Sequence, residues 1–380
     1  MKPLELLPEP LLAQGGDAVA RAPDGRVVFV SGAAPSERVR AKIVQENKTF
    51  LRAEVRAVLE PGPARVEPRC PHFGDCGGCT SQHVSAEAQL SSKQAAFVAT
   101  LSKIARIDPA QVQLEAPWSG EPFGYRSRAR FAVTAGRLGY RARGDRRAIA
   151  INTCPVLSPA LEAAAIAYDP APGQKEVELL EASGRVLTED DPPVLVPDGG
   201  FGAGSFGPLY VSAAVFQQQN PAGNQALLET IAAWIKDRPE FGGAVLELFA
   251  GSGNITRVLA RRAARVVAVE GEGAAVSLLS RLKLERTEVR VADAASATFE
   301  DERYDASLVD PPRTGLAPPL IEALAARGGA SLLYVSCDPA TFARDLGRFS
   351  ALGYALERAR LFDFYPQTPH AEVLGLLRRG

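Results

Sequence analysis

The chain has 380 residues, of which 46% are hydrophobic and 23% are charged, and its formal net charge is -1. This length allows two or three domains with sizeable cores, and the composition is ordinary for a globular protein. The near-neutral charge argues against a uniformly basic nucleic-acid-binding surface but allows a local basic patch.

Two features of the sequence bear on location. No run of about 18 apolar residues occurs, so no membrane-spanning helix is expected. Prolines and acids interrupt residues 1–10, where a secretory signal would need an unbroken apolar core. We therefore expect a cytoplasmic protein that makes no membrane contact, and we expect a monomer.

The first 60 residues alternate between short strand-forming segments and turns. The segments cover 17–22, 26–30, 37–46 and 51–59. This pattern predicts a small β-barrel over residues 1–60, and Pro61-Gly62-Pro63 marks its end. Barrels of this kind often bind oligonucleotides, although a β-module without a partner is an equal alternative on this stretch alone. The segment resembles a TRAM domain, an RNA-binding barrel.

Four of the five cysteines follow a spacing typical of metal ligands. They are Cys70, Cys76, Cys79 and Cys154. Five residues separate the first two and two separate the next pair, as in iron–sulfur proteins, and the intervening glycines permit a tight turn. The fourth position falls to the cysteine at 154 because Cys337 is assigned to chemistry. We expect a [4Fe-4S] cluster, with a Cys3His zinc site through His72 or His83, or buried free thiols, as alternatives.

An arginine-rich stretch follows a predicted amphipathic helix at 85–107, to which no chemistry is assigned. Residues 125–147 contain eight arginines and one acid, Asp145. Strand alternation would place alternate arginines on one face, where guanidinium groups suit phosphates and nearby aromatics can stack on bases. A solvated sheet face is the alternative. We expect RNA binding by the barrel and by Arg126, Arg128, Arg130, Arg141 and Arg143.

A strand at 244–249 precedes a glycine turn that predicts a nucleotide cofactor. The turn contains Gly251 and Gly253, and the acid Glu270 ends the next strand about 20 residues after the first glycine. Thr256 stands where a dinucleotide fingerprint has a third glycine, which favours S-adenosylmethionine over NAD. Asp293 follows another strand and is placed to meet the adenine, or else to cap a helix.

Two buried parallel strands are predicted at 305–309 and 331–335. Asp310 and Cys337 follow them, at the edge where open α/β sheets bind ligands. Arg313 stands after Asp310-Pro-Pro where amino-directed methyltransferases have an aromatic, and a following cysteine suits carbon alkylation. A thiolate adding to C6 of uracil would activate C5, and Glu372 is the expected base, unless it is an ordinary acid at a strand edge.

Together these motifs resemble the RNA uridine-5-methyltransferase family over nearly the whole chain. Further motifs that carry the resemblance are Phe216-Gln-Gln-Gln-Asn220, Leu248-Phe-Ala-Gly-Ser-Gly-Asn254 and Ser336-Cys-Asp-Pro. The resemblance implies Cys337 as nucleophile and Glu372 as base. It also implies cofactor contacts at Gln218, Phe249, Asn254, Glu270, Asp293 and Asp310, beside the turn glycines. The chain departs from the family pattern in two small ways: Asp338 stands where the family often has Asn, and Ala250 where some members have Cys.

The resemblance implies an α/β fold in three parts. A TRAM-like barrel at 1–60 and a central iron–sulfur and RNA-binding domain at 61–205 precede a Rossmann-like methyltransferase domain at 206–380. The barrel and the four cysteines favour the ribosomal-RNA branch over the transfer-RNA branch. Two alternatives from other classes remain open at this point, an NAD-dependent oxidoreductase and a non-catalytic RNA-binding iron–sulfur protein.

Overall fold

The computed structural model describes residues 4–197, 206–294 and 302–380. The N-terminal part of the chain forms a five-stranded sheet. Its strands are β1 (Leu4–Leu6), β2 (Ala18–Arg21), β3 (Val27–Ser31), β4 (Arg38–Glu46) and β5 (Phe50–Glu60). They lie in the order β1-β4-β5-β3-β2. Alternate residues of β3 and β4 are buried, including Val28, Val30 and Val39, so one face of the sheet forms a small core. The predicted strands of the barrel are confirmed.

A buried carboxylate joins this sheet to the chain that leaves it. Glu37 is fully buried, and its two carboxyl oxygens lie 2.5 and 2.6 Å from the guanidinium nitrogens of Arg65. The Ala34 amide also donates to Glu37 at 2.8 Å. Because a buried charge is tolerated only when it is paired, Arg65 holds the linker against the barrel.

We expect Arg65→Met to lower the free energy of unfolding by about 3 kcal/mol, because the Glu37 carboxylate would stay buried without its partner. The matched control is Arg56→Met, since Arg56 forms an exposed ion pair with Glu54 and its loss should cost less than about 1 kcal/mol. Urea denaturation followed by circular dichroism measures both. Equal stabilities of the two variants would contradict this interpretation.

The long helix α1 (Ala86–Thr100) begins at the cap residue Ser85 and confirms the predicted helix. It extends through a wider turn to Ala105 and ends where Arg106 adopts a left-handed backbone. Phe97 packs on Phe342 of the C-terminal domain, so the helix belongs to the core of that domain. Two short strands follow, β6 (Gln113–Leu114) and β7 (Trp118–Ser119), and both pair with a strand of the C-terminal sheet.

The central part is a second antiparallel sheet. Its elements are β8 (Arg128–Thr134), β9 (Arg137–Arg141), β10 (Ala148–Ala150), α2 (Pro159–Ala167), β11 (Glu176–Ala182) and β12 (Arg185–Thr188). The strand order is β10-β9-β8-β11-β12, and α2 packs on it through Leu161. A separate pair comprises β13 (Val194–Val196) and β14 (Leu209–Val211). The predicted boundary between residues 205 and 206 falls at a segment outside the described residues.

The C-terminal sheet is the largest. Its remaining strands are β15 (Ala244–Leu248), β16 (Arg265–Glu270), β17 (Thr287–Val291), β18 (Ala306–Val309), β19 (Ser331–Ser336), β20 (Tyr354–Asp363) and β21 (Glu372–Arg379). The order is β17-β16-β15-β18-β19-β21-β20-β6, with the first five parallel and β21 antiparallel to β19. Both predicted parallel strands are confirmed, as is the α/β fold.

Helices cover both faces of this sheet. They are α3 (Pro221–Ile235), α4 (Thr256–Ala260), α5 (Gly273–Arg281), α6 (Pro318–Arg327) and α7 (Pro339–Ala351). Neighbouring residues of β15 face different cores, Val245 one and Leu246 the other, which explains the nearly continuous apolar runs. Chain order reverses between β15 and β18, and such a reversal opens a crevice at the carboxyl ends of the strands. Among the helices within the described ranges, none has the length and apolar content needed to cross a bilayer.

Candidate active site

The turn after β15 is shaped by residues in the left-handed region. Phe249, Gly251 and Gly253 have φ angles of 62, 56 and 94°. The Gly251 amide donates to Glu270 at 2.8 Å, which ties the turn to the end of β16. A Cβ atom at Gly253 would lie 2.6 Å from the side chain of Leu279, so this glycine allows the turn to pack on α5.

This turn borders a cavity of about 420 Å3. Most of the predicted cofactor and catalytic residues line it: Gln218, Phe249, Gly251, Asn254, Glu270, Asp310, Cys337 and Glu372. The structure does not place Gly253 or Asp293 in this lining. The first packs against α5, and the second follows β17 at an exposed position. Their contacts with the cofactor stay a prediction.

The reactive side chains meet because of strand pairing. Ser336, at the end of β19, lies opposite Val373 of the antiparallel strand β21. The residue after Ser336 is Cys337 and the residue before Val373 is Glu372, so these two lie next to each other at the sheet edge. Asp310 follows β18, the strand on the other side of β19. A thiol and two carboxyl groups therefore share one edge of the sheet and one cavity.

Cys337 lies between the end of β19 and the start of α7. Asp338 caps that helix, because its carboxylate accepts from the amides of Ala340 and Thr341 at 3.0 and 2.9 Å. This cap fixes the direction in which the chain leaves the strand. Asp338, which departs from the family pattern, therefore stabilises the start of α7. The adjacent residue, Cys337, lines the cavity.

Burial dominates the electrostatics of the site. It raises the pKa of Asp310 to about 7 and that of Glu372 well above its usual value, with the Asp310 charge adding to the effect on Glu372. Burial, and then Glu372 and Asp310, raise the pKa of Cys337 to about 11. The positive charge of Arg313 acts in the opposite direction, toward a lower pKa, on both Cys337 and Glu372. The Arg313 guanidinium also lies 2.7 Å from Nδ1 of His370. Burial therefore favours the neutral thiol of Cys337 and the neutral carboxyl group of Glu372.

Some residues in the cavity were not predicted. Glu247 of β15 is buried in the lining, where burial raises its pKa to about 8. An acid inside an apolar strand was the signal that could have identified it. Asn224 and Asn254 exchange two amide hydrogen bonds of 3.0 and 2.7 Å, which orient Asn254, and nothing local in the sequence indicated this pair.

A second cavity, of about 540 Å3, is lined by all four candidate cluster ligands: Cys70, Cys76, Cys79 and Cys154. His72 also lines it, with Nε2 2.8 Å from Asn152, whereas His83 faces the barrel with Nε2 3.1 Å from the Ala33 carbonyl. Across the described part of the chain, no three His, Cys, Asp or Glu side chains converge on a point that would hold a single metal ion. The four thiols thus line one cavity, whereas His83 lies outside that lining.

The predicted row of free arginines requires correction. Arg128 is buried and lies 2.7 Å from Glu178, which Arg130 also contacts at 3.0 Å. The other predicted contacts are also engaged: Arg141 lies 2.9 Å from Glu176, Arg143 donates to Ser31 at 2.8 Å, and Arg126 donates to the Arg128 carbonyl at 3.0 Å. The acids belong to β11, which is distant in sequence, so counting charges within 125–147 overstated the free positive charge. Arg128 in particular is a structural ion-pair partner.

The parallel sheet, its glycine turn and the cavity at the strand ends form the kind of site at which α/β proteins bind a nucleotide cofactor. A family model for tRNA (uracil-5-)-methyltransferases matches residues 275–380, and a TRAM-domain model matches residues 11–55. The TRAM resemblance of the N-terminal barrel is confirmed.

Similar proteins span nearly the whole chain. The 23S rRNA (uracil(1939)-C(5))-methyltransferase RlmD of Pseudomonas fluorescens is 33% identical, over 96% of this chain and 92% of its own length. The RlmD protein of Chromohalobacter salexigens is 34% identical, over 97% of this chain and 88% of its own. The tRNA (uracil-54, C5)-methyltransferase of Pyrococcus abyssi shares the fold, with a TM-score of 0.74 and 20% identity over 98% of this chain and all of the other.

The chain belongs to the RNA uracil-C5-methyltransferase family, in the form that carries a TRAM domain. The family resemblance predicted from the motifs is thus confirmed. Membership sets aside both the NAD-dependent oxidoreductase and the non-catalytic RNA-binding protein.

We expect Cys337 in the free protein to react with iodoacetamide about tenfold faster for each unit of pH between about 7 and 9. The thiolate is the reactive form, and a pKa near 11 keeps its fraction small and rising throughout this range. Mass spectrometry of the peptide that contains Cys337 gives the rate, and a short cysteine peptide of ordinary pKa serves as control. A rate that levels off below about pH 8 would contradict the raised pKa.

Proposed function

We propose that this chain methylates C5 of a uridine in 23S ribosomal RNA, with S-adenosylmethionine as donor. The observation that carries the proposal is that Cys337 and Glu372, which adjoin the Ser336–Val373 pair of β19 and β21, line the same cavity that the glycine turn borders. The names of the similar RlmD proteins support ribosomal RNA as the substrate.

The reaction begins with a uridine flipped out of its loop so that its ring enters the cavity beside Cys337. The thiolate adds to C6, and the electron pair of the C5–C6 double bond moves toward C5 and O4. C5 is then nucleophilic and attacks the methyl group of the sulfonium. A C–S bond at C6 and a C–C bond at C5 form, and the donor leaves as S-adenosylhomocysteine.

Glu372 completes the cycle by removing the remaining proton from C5. The electron pair of that C–H bond restores the C5–C6 double bond, and the C6–S bond breaks to release the thiolate. The net products are 5-methyluridine, S-adenosylhomocysteine and one proton. Glu372 suits this step because a buried carboxyl group with a raised pKa is a stronger base than an exposed one.

The bound cofactor supplies the charge that activates these groups. Burial favours the neutral forms of Cys337 and Glu372. The sulfonium of S-adenosylmethionine adds a positive charge to the same cavity, where the low dielectric makes it effective. Such a charge would favour the thiolate of Cys337 and the carboxylate of Glu372 over their neutral forms.

We also propose that the cavity lined by the four cysteines holds a [4Fe-4S] cluster. Four sulfur donors at Cys70, Cys76, Cys79 and Cys154 fit such a cluster, and the cavity has ample room for it. The engagement of His83 with the barrel weakens the zinc alternative that used it. The methylation consumes no electrons, so the cluster would brace the central domain and shape the RNA-binding surface.

RNA contact is assigned to the TRAM barrel and to the outward arginines of the central sheet. Arg130, Arg141 and Arg143 are exposed although each has a polar neighbour within the chain. A phosphate can compete for an exposed guanidinium, because exposed ion pairs contribute little free energy. Arg126 borders the cysteine-lined cavity and is half-buried.

We expect Cys79→Ser to lose bound iron and the visible absorbance of protein purified without oxygen, because one thiolate ligand is removed. The matched control is His83→Ala, which should keep the iron content since His83 faces the barrel. Iron and sulfide analysis measure both variants. If the unchanged protein binds zinc instead of iron, and His83→Ala loses that zinc, the result would support the Cys3His site and contradict the cluster.

Methyl-labelled S-adenosylmethionine and RNA from cells that lack this protein test the reaction. We expect label in 5-methyluridine of large ribosomal RNA, and Cys337→Ala should reduce it at least about a thousandfold while still binding the cofactor. Label confined to transfer RNA would keep the chemistry and overturn the substrate, an alternative that the name of the matching family model favours. Retained methylation by Cys337→Ala would overturn the nucleophile.

A further inference from the structure

The connection between β20 and β21 is held in an unusual backbone conformation just before Glu372. Gln367 in this connection has a φ angle of 70°, in the left-handed region, which non-glycine residues rarely adopt. Its side chain is 3% exposed, so the residue is enclosed as well as strained. Such a conformation persists only when surrounding contacts specify it.

Gln89 of α1 supplies those contacts. Its Oε1 accepts from the backbone amide of Gln367 at 2.9 Å, and its Nε2 lies 3.0 Å from Oε1 of Gln367. The same Nε2 lies 3.0 and 2.8 Å from the carbonyls of Ser81 and Val84. Gln89 is 3% exposed, so water does not compete for these bonds.

The loop that carries the cysteines contacts the same residue. The Gln367 carbonyl accepts from the amides of Thr80 and Ser81 at 2.9 and 3.2 Å, directly after Cys79. The hydroxyl of Tyr125 donates to the neighbouring Pro366 carbonyl at 2.9 Å. The connection that leads to Glu372 is therefore fixed by parts of the chain outside its own sheet.

A second residue of α1 holds the start of this connection. Lys93 is one turn after Gln89 on the same helix face, and its Nζ lies 2.7 Å from Asp363 and 3.1 Å from the Tyr365 carbonyl. Asp363 is the last residue of β20. Lys93 thus holds the start of the segment and Gln89 its middle against one helix, while the pairing of Phe362 with Glu372 holds its end in the sheet.

We propose that Gln89 is a positioning residue for proton removal from C5. Through its paired hydrogen bonds to Gln367 it fixes the segment that leads into β21, and so places the carboxylate of Glu372. The inference rests on the proposed role of Glu372 as base. Cys337 directly follows β19 and precedes Asp338, the cap of α7, so its position is set by these elements and not by Gln89. Loss of Gln89 therefore slows proton removal more than methyl transfer.

The two steps can be measured separately in one reaction. RNA with tritium at C5 of uridine releases tritium only when the C5–H bond breaks. Methyl-labelled S-adenosylmethionine reports formation of the C5–CH3 bond. If proton removal alone is slow, methylated RNA stays covalently attached to Cys337 and migrates with the protein under denaturing conditions.

The test compares Gln89→Met with Gln94→Met. Both change a glutamine of α1 to an unbranched apolar side chain, but Oε1 of Gln94 has no hydrogen-bond partner within the described residues. We expect Gln89→Met to release tritium at least about tenfold more slowly, since a base displaced by about 1 Å loses much of its effect. First-turnover methyl transfer should stay within about twofold, the covalent species should accumulate, and Gln94→Met should match the unchanged protein.

Equal slowing of both steps, or no slowing, would overturn the positioning role. Glu372→Gln is assayed alongside: if it releases tritium at the normal rate, the base assignment fails instead. Melting temperature and cofactor binding check that Gln89→Met is folded. If it is not, Gln367→Asn replaces it, because asparagine tolerates the left-handed backbone and shortens only the side-chain contact. This variant should show the same separation to a smaller degree, and its absence would overturn the proposal.

Discussion

Desolvation at one sheet edge is the constraint on which the site depends. Cys337, Asp310 and Glu372 are placed together by strand pairing, and burial favours the protonated form of each. An uncharged group of this kind can be enclosed without the cost of unpaired buried charge. In the proposed reaction, the charge of a cationic methyl donor would act on these groups in the same low dielectric.

The catalytic sheet cannot be understood apart from the N-terminal half of the chain. Helix α1 packs into the core of the C-terminal domain through Phe97, and β6 and β7 extend its sheet. The loop after Cys79 donates hydrogen bonds to Gln367. The part of the chain proposed to hold a cluster is thus in direct contact with the segment that leads to the proposed base. This arrangement would give the proposed cluster a structural purpose in a reaction that transfers no electrons.

Sequence alone predicted the features that depend on local pattern. Apolar runs predicted β18 and β19, and the polar residues after them identified Asp310 and Cys337. The glycine turn identified Gly251 and Glu270, whose hydrogen bond the structure contains. The features that sequence analysis missed depend on contacts between residues that are distant in the chain. Arg128 seemed free because its partner Glu178 lies 50 residues later. Gln89 had no visible role because its contacts, at Gln367, form only when α1 docks on the C-terminal domain.

The central claim is that Cys337 forms a covalent bond with the target uracil, and RNA that carries 5-fluorouridine at the methylated position tests it directly. Fluorine at C5 cannot leave as a proton, so the reaction should stop after methyl transfer with the RNA attached to the protein. Mass spectrometry of the digested complex should find a methylated fluorouridine nucleotide on the peptide that contains Cys337. Attachment at another cysteine, or complete turnover without a covalent species, would contradict the account.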